Sequence, residues 1–382
     1  MKSTIGLSLV ALSLFALASC TQEPKKAPAG GSPTGTSPTG GAPTSGGSTH
    51  EPRKHVKTPL HDPREVHLAN IRQLTFGGEN AEGYFNSTGT KFVFQARGGD
   101  TKFDCDQIFE YDIATKKTRL VSTGKGRTTC AYYHDGDKRI LYASTHLGSE
   151  SCPTEPDRSL GYVWPLYPSY EIFSCDVTDP GKLTQLTKSP GYDAEATTCY
   201  ANNRIVFTST RDGDIELYSM NGDGSDVLRL TNRLGYDGGA FFSADGKWLV
   251  WRAYEPTNAD EIREYKELLT KNLVKPSQME IFVAKSDGTE ARQVTSNGKA
   301  NFAPYFFPDP KRVLFASNLE GGRTFNIYAI DVDGKNQECI TYSSVFNSFP
   351  MFSPDGKHLI FASNRANKKA GETNLFLAEW VK

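Results

Sequence analysis

Hydrophobic and polar positions alternate along most of this chain in short runs, and the runs repeat. A segment ending in an apolar residue plus Thr or Ser occurs at Leu74-Thr75, Val121-Ser122, Leu186-Thr187, Leu230-Thr231, Val294-Thr295 and Ile340-Thr341. The intervals are about 47, 65, 44, 64 and 46 residues, so the base unit is about 45 residues and two units carry roughly 20 more. Each unit reads as four strands. An aromatic-rich strand enters a turn such as Ser353-Pro354-Asp355-Gly356-Lys357, and a β-branched and aromatic strand follows, as in Leu359 to Ser363. A third strand such as Asn326 to Asp331 then leads through an Asp-Gly turn into the fourth. Gly accepts positive φ and Asp bonds back to its own backbone, which is hairpin-turn chemistry.

Period-2 alternation at this repeat length predicts an all-β fold, a six-bladed β-propeller of four-stranded blades. The sixth unit stops at its third strand, Asn374 to Trp380, whereas the first begins with a surplus strand, Ile71 to Thr75. Docking that surplus strand onto the last blade would close the ring and remove two exposed edges. A helix is expected inside the fourth unit, capped by Thr257 or Asn258, with Ile262, Tyr265, Leu269 and Leu273 on one face.

The N-terminus follows different rules. Lys2 and the apolar run Ile5 to Ala18, closed by Leu17-Ala18-Ser19-Cys20, resemble a bacterial lipoprotein signal, with lipidation expected at Cys20. The run is too short for a permanent span, which needs roughly 20 apolar residues. Thr21, rather than Asp, follows the Cys and favours an outer-membrane anchor facing the periplasm. Residues 21–62 are rich in Gly, Pro, Ser and Thr and are expected to form a flexible tether, with residues 63–382 as the propeller. His50-Glu51 and His55 have the wrong spacing for a zinc-protease helix.

Net charge is −1 and no basic stripe appears, which argues against nucleic acid. Beyond Cys20, six Cys allow 15 pairings; one or two bridges with the rest as buried thiols is an equal alternative.

The repeat units resemble those of the TolB periplasmic protein and of related propellers that accompany some bacterial peptidases. The resemblance covers about residues 66 to 382 and implies a six-bladed propeller serving protein–protein contacts. Some relatives are joined to hydrolase or aminopeptidase domains; this chain ends with its sixth unit and is expected to carry none. TolB also has a separate N-terminal domain where this chain has its tether, which speaks against a role in the Tol system.

The long insertions, Arg97 to Asp106, His146 to Tyr170, Tyr254 to Gln278 and Ala366 to Thr373, all join second to third strands and so share one face. Tyr162, Trp164, Tyr167 and Tyr170, with Arg252 and Tyr254, are candidate contact residues. The alternative is that the rings pack their own blade and the helix lies across the propeller top. One aligned column holds Asn80, Thr128, Asp193, Asp237, Asn301 and Asn347, just before the innermost strands. It is expected to ring the channel mouth with Glu82, Arg127 and Glu195 and to hold a cation, an amine or a basic side chain. The alternative is that the column bonds to loop backbone.

No G-x-S-x-G or H-E-x-x-H occurs, and the five His of the folded part are scattered. The expectation is therefore a monomeric, non-catalytic binding module, lipid-anchored, whose partner is an envelope protein, peptide or polymer, with no required cofactor. Two alternatives remain. One is a calcium-dependent lactonase or esterase using Asp193 and Asp237. The other is a separated accessory propeller of a peptidase.

Overall fold

The computed structural model describes residues 60–382. The expected signal with Cys20, His50, Glu51, His55 and nearly all of the tether lie outside the described residues. Six four-stranded antiparallel sheets follow one another along the chain. Blade one is Glu79–Phe85, Lys91–Arg97, Gln107–Asp112 and Lys117–Leu120, from channel to rim. The inner strands of the next five blades are Thr128–His134, Asp193–Thr198, Tyr236–Phe242, Asn301–Phe306 and Asn347–Phe352. The fold is the six-bladed propeller that the repeat predicts.

The repeated Thr or Ser has a structural cause. In every blade its hydroxyl accepts the backbone N–H at the start of that blade's third strand. Ile108 donates to Ser122 at 3.0 Å, and Ile172, Leu217, Ile281 and Ile327 donate to Thr187, Thr231, Thr295 and Thr341 at 2.8 Å. In the sixth blade the acceptor is Thr75 from the chain's beginning, 2.8 Å from Leu375 N. The surplus segment thus fills the missing position. It forms the strand Leu68–Gln73, paired antiparallel with Asn374–Trp380, from Leu68 opposite Trp380 to Gln73 opposite Phe376.

A buried ion pair locks this closure. Arg365 and Glu65 are both fully buried, 2.9 Å apart, and Arg365 also reaches Leu60 O and Asn347 Oδ1. Glu65 accepts in addition from the N–H groups of Tyr342 and Ser343. A charge removed from water needs such full pairing to be tolerated.

The turn motif is equally literal. Ser353 Oγ donates to Asp355, and His358 N and Lys357 N donate to Ser353 and Asp355; Ser243 and Asp245 repeat the set. Gly356 takes φ 68° to close the turn.

The expected helix is Ala259–Leu269, capped by Asn258, whose side chain accepts from Asp260 N and Glu261 N. Its inner face differs from expectation at two places. Leu268, rather than Leu269, is buried beside Tyr265, and Leu273 lies beyond the helix in a short strand, Leu273–Val274. That strand pairs with Trp164–Pro165, so the insertions of blades two and four are joined to each other. Val163, Leu268 and Leu273 form a small core beneath the joint. Among the described residues one disulfide, Cys105–Cys152, ties the insertion of blade one to that of blade two, with Cα atoms 5.9 Å apart. Cys130, Cys175, Cys199 and Cys339 are free thiols.

Candidate functional site

In a propeller the inner strand presents its free backbone edge to the channel. Its side chains alternate toward the two neighbouring blades, so a regular strand aims none of them down the axis. Here each inner strand breaks register once, between Ala81 and Tyr84, Thr129 and Tyr132, Ala194 and Thr197, Gly238 and Phe241, Phe302 and Tyr305, and Ser348 and Met351. The bulged residue has positive φ in every blade: Glu82 (56°), Cys130 (51°), Glu195 (56°), Gly239 (63°), Ala303 (47°) and Phe349 (53°). A bulge re-aims a side chain, and all six of these residues line one cavity of about 570 Å³ on the decorated face.

This ring stands two residues after the column expected from sequence. The column itself is a blade lock, and the expectation that it rings the channel is corrected. All six of its members are buried, and only Thr128 also lines the cavity. Their polar atoms are taken by neighbouring blades and loops. Asn80 bonds to Thr373 O and Asn374, Thr128 to Asp106 O, Asn301 to Met279 O and Glu280, and Asn347 to Asn326. Asp193 is held by Arg211 at 3.1 Å and by Ser189; Asp237 is held by Arg233 at 2.8 Å and by the Trp251 indole. Burial pushes the Asp237 carboxyl above its usual range. With each aspartate committed to an arginine, the pair does not fit a calcium site. Among the described residues no three His, Cys, Asp or Glu side chains are grouped as a metal would require.

Glu82, Arg127, Glu195, Tyr162, Trp164, Tyr167, Tyr170 and Arg252 do come together in the cavity. Tyr254 does not line it; its ring lies 6.4 Å from Tyr265 of the helix. Below the ring, four residues after the column positions, Tyr84 and Phe241 make an aromatic floor, with Tyr132 and Tyr305 packed against them. Their centroids are 5.4 Å apart for Tyr84–Phe241 and Phe241–Tyr305, and 5.5 Å for Tyr84–Tyr132. Above it Trp164 reaches over from blade two, 5.3 Å from Phe302 and 6.3 Å from Tyr236, with its indole N–H on Tyr162 Oη at 2.8 Å. The aromatic insertion therefore roofs the channel instead of packing only its own blade.

The wall is charged. Glu195 is bonded by Arg252 and accepts from Tyr236 at 2.9 Å and Thr208 at 2.8 Å. The Arg252 guanidinium lies 5.1 Å from the Trp164 ring centroid and 5.5 Å from that of Tyr236, within cation–π range. Gly239 makes room for it, since a Cβ there would come within 2.0 Å of Arg252 Nη1. Burial works against the charge on Arg252, and Glu195 more than offsets it, so its pKa is raised. Glu82 stands differently. Burial pushes its pKa up to about 7, the neutral thiol of Cys130 bonds to it, and its Oε2 is buried with no hydrogen-bond partner. At the mouth Arg127 pairs with Glu155 and Arg97 with Glu79. Histidine does not line the cavity: His134 is buried against Ser174 and held neutral, its pKa lowered by burial to about 4, and His146 bonds to Ser144.

Sequence reasoning missed Cys130, Gly239, Ala303, Phe349 and the aromatic floor. No shared residue type marks the ring, so its only signal is a fixed offset from the column.

Fold and repeat chemistry together define a six-bladed β-propeller, and comparison with known proteins finds its likenesses among TolB propellers. A family model described as the TolB beta propeller domain matches residues 274–376. The Tol-Pal system protein TolB of Wolinella succinogenes is 23% identical over 209 residues, 54% of this chain and 41% of that protein. The matched stretch is thus about two fifths of that relative's length. Among solved structures, a putative TolB from Agrobacterium tumefaciens superposes with a TM-score of 0.52 at 16% identity, covering 80% of this chain and 91% of the other. TolB from Acinetobacter baumannii gives 0.50 at 16% identity, covering 68% and 53%.

Proposed function

We propose that this chain is an envelope binding module that recognises a protein, peptide or envelope polymer through its decorated face and channel cavity. The observation that carries the reading is the cavity itself. It falls within the roughly 300–1,000 Å³ of a ligand site, has aromatic walls and roof, and contains a few convergent charges on a rigid ring. The likeness to a Tol-Pal system protein supports a protein or peptide occupant. In the same reading the propeller works as a monomer. A lipid on Cys20 and the tether of residues 21–62 hold it at the outer membrane, facing the periplasm.

Chemical cross-linking in the intact envelope tests this, comparing wild type with Trp164→Ala. The expected result is a defined partner captured by wild type and lost when the roof ring is removed. Equal capture by both proteins, or none by either, would overturn the reading. Asp193 and Asp237 are unsuitable probes, since changing them breaks the blade lock and not the cavity.

A further inference from the structure

We infer that the cavity takes a cationic nitrogen, an alkylammonium or guanidinium group, against Glu82, with its carrier chain among the aromatic rings. This rests on the binding reading above and names the ligand chemistry of that site.

The cavity contains its own template for such binding. Glu195 and Glu82 occupy the same bulge position two blades apart, and both carboxylates are aimed into the cavity by positive φ. Glu195 already holds a cation, the Arg252 guanidinium, sandwiched by the Trp164 and Tyr236 rings. Arg252 comes from the second strand of the next blade, opposite Gly238. The corresponding position beside Glu82 lies in blade two, opposite Thr129, and carries Ala143. Where one glutamate finds an arginine, the other finds a methyl group.

Three further observations agree. Glu82 Oε2 is buried without a hydrogen-bond partner, a costly state that a ligand donor would relieve. Six carboxylates and four arginines line the cavity, so its fixed charge is negative. Tyr84 of the floor supplies an aromatic face beside Glu82 for the ligand's stem, with Tyr132 packed behind it. The charged and titratable groups around Glu82 are Cys130 on the neighbouring inner strand, Glu195 on the inner strand two blades on, Arg252 on blade four and Asp106 in the insertion of blade one, with Tyr84 beneath. The Cys130 thiol stays neutral because burial raises its pKa. A cation binding the Glu82 carboxylate therefore releases a proton near neutral pH.

The test uses the tripeptide Ala-Lys-Ala, blocked at both ends so that it carries one amine, and its acetyl-lysine counterpart, titrated calorimetrically into the protein. Acetylation is expected to weaken binding at least about tenfold, as the loss of a charge-assisted bond does. Glu82→Gln should weaken the lysine peptide alike and leave the acetylated one unchanged, while Glu320→Gln, an exposed residue on the same face, alters neither. Affinity for the lysine peptide should fall from pH 8 to pH 6 in wild type and stay flat in Glu82→Gln. Equal binding of both peptides, or indifference to Glu82→Gln, would overturn the inference. If neither peptide binds at about 10 mM while cross-linking through Trp164 still captures a partner, the cation fails and the binding reading survives. If both are negative, both fall.

Discussion

Glu82 and the column residue two places before it show how differently neighbouring side chains on one strand are used. Asn80 donates its side-chain amide to Gly77, Thr373 and Asn374 and acts in stability, whereas Glu82 is held in the left-handed region and short of partners. Such backbone strain, of order 1–3 kcal/mol, persists where the surrounding structure enforces it. The pKa of Glu82 sets a pH dependence whose sign is fixed. Its folded value of about 7 lies above the ordinary 4.5, so the group favours folding fully below 4.5. That contribution is lost as pH rises through about 7, about 3 kcal/mol in all. In denaturant unfolding, Glu82→Gln should therefore gain on wild type between pH 5 and pH 8. Midpoints that move in parallel would contradict the burial of this carboxyl.

At the scale of elements, the inner-strand bulge is the device that makes a site out of a scaffold. Without it the strands would only pack blade against blade; with it five side chains and Gly239 face the channel. The roof is a second such device, because two insertions from different blades complete each other in a two-residue ladder and share a small core. The helix was readable from its cap and its apolar spacing, but its continuation was not. Leu273 keeps the helical phase in sequence yet lies in a strand, since pairing with Pro165 competes with one more helical turn. The Cys105–Cys152 bridge pins two insertions on this face across a separation of 47 residues. Loop-closure entropy makes it worth about 4 kcal/mol. The double variant Cys105→Ser, Cys152→Ser should unfold at a correspondingly lower denaturant midpoint, and an unchanged midpoint would refute a structural role for the bridge.

The whole molecule is a ring, and a ring depends on its seam. Leu68–Gln73 supplies the outer strand of the last blade, Thr75 the recurring hydroxyl, and Glu65 the partner of a fully buried arginine. Deleting residues 66–75 should leave the protein unfolded or aggregated. The finer probe is Glu65→Ala, which strands the Arg365 charge and should cost about 3–5 kcal/mol. A truncated protein with an unchanged melting transition would show that the ring closes some other way.

The repeat, the blade count, the turn chemistry and the closing strand were determined by the sequence alone. These depend on local rules: period-2 alternation, glycine at positive φ, a hydroxyl in register with a strand, and edges that need covering. The loop-decorated face and its aromatic insertion were legible for the same reason. Which residues enter the channel was decided only by tertiary structure, because a bulge shifts the inward direction by two positions and leaves no compositional trace. Tertiary structure also decided that Asp193 and Asp237 would be neutralised by arginines, that Arg252 would satisfy Glu195, and that Glu82 would have no such partner. The last two depend on which side chain the next blade presents, whereas Arg211 and Arg233 come from loops adjoining strands of the aspartates' own blades. A single strand cannot encode its neighbour's residue.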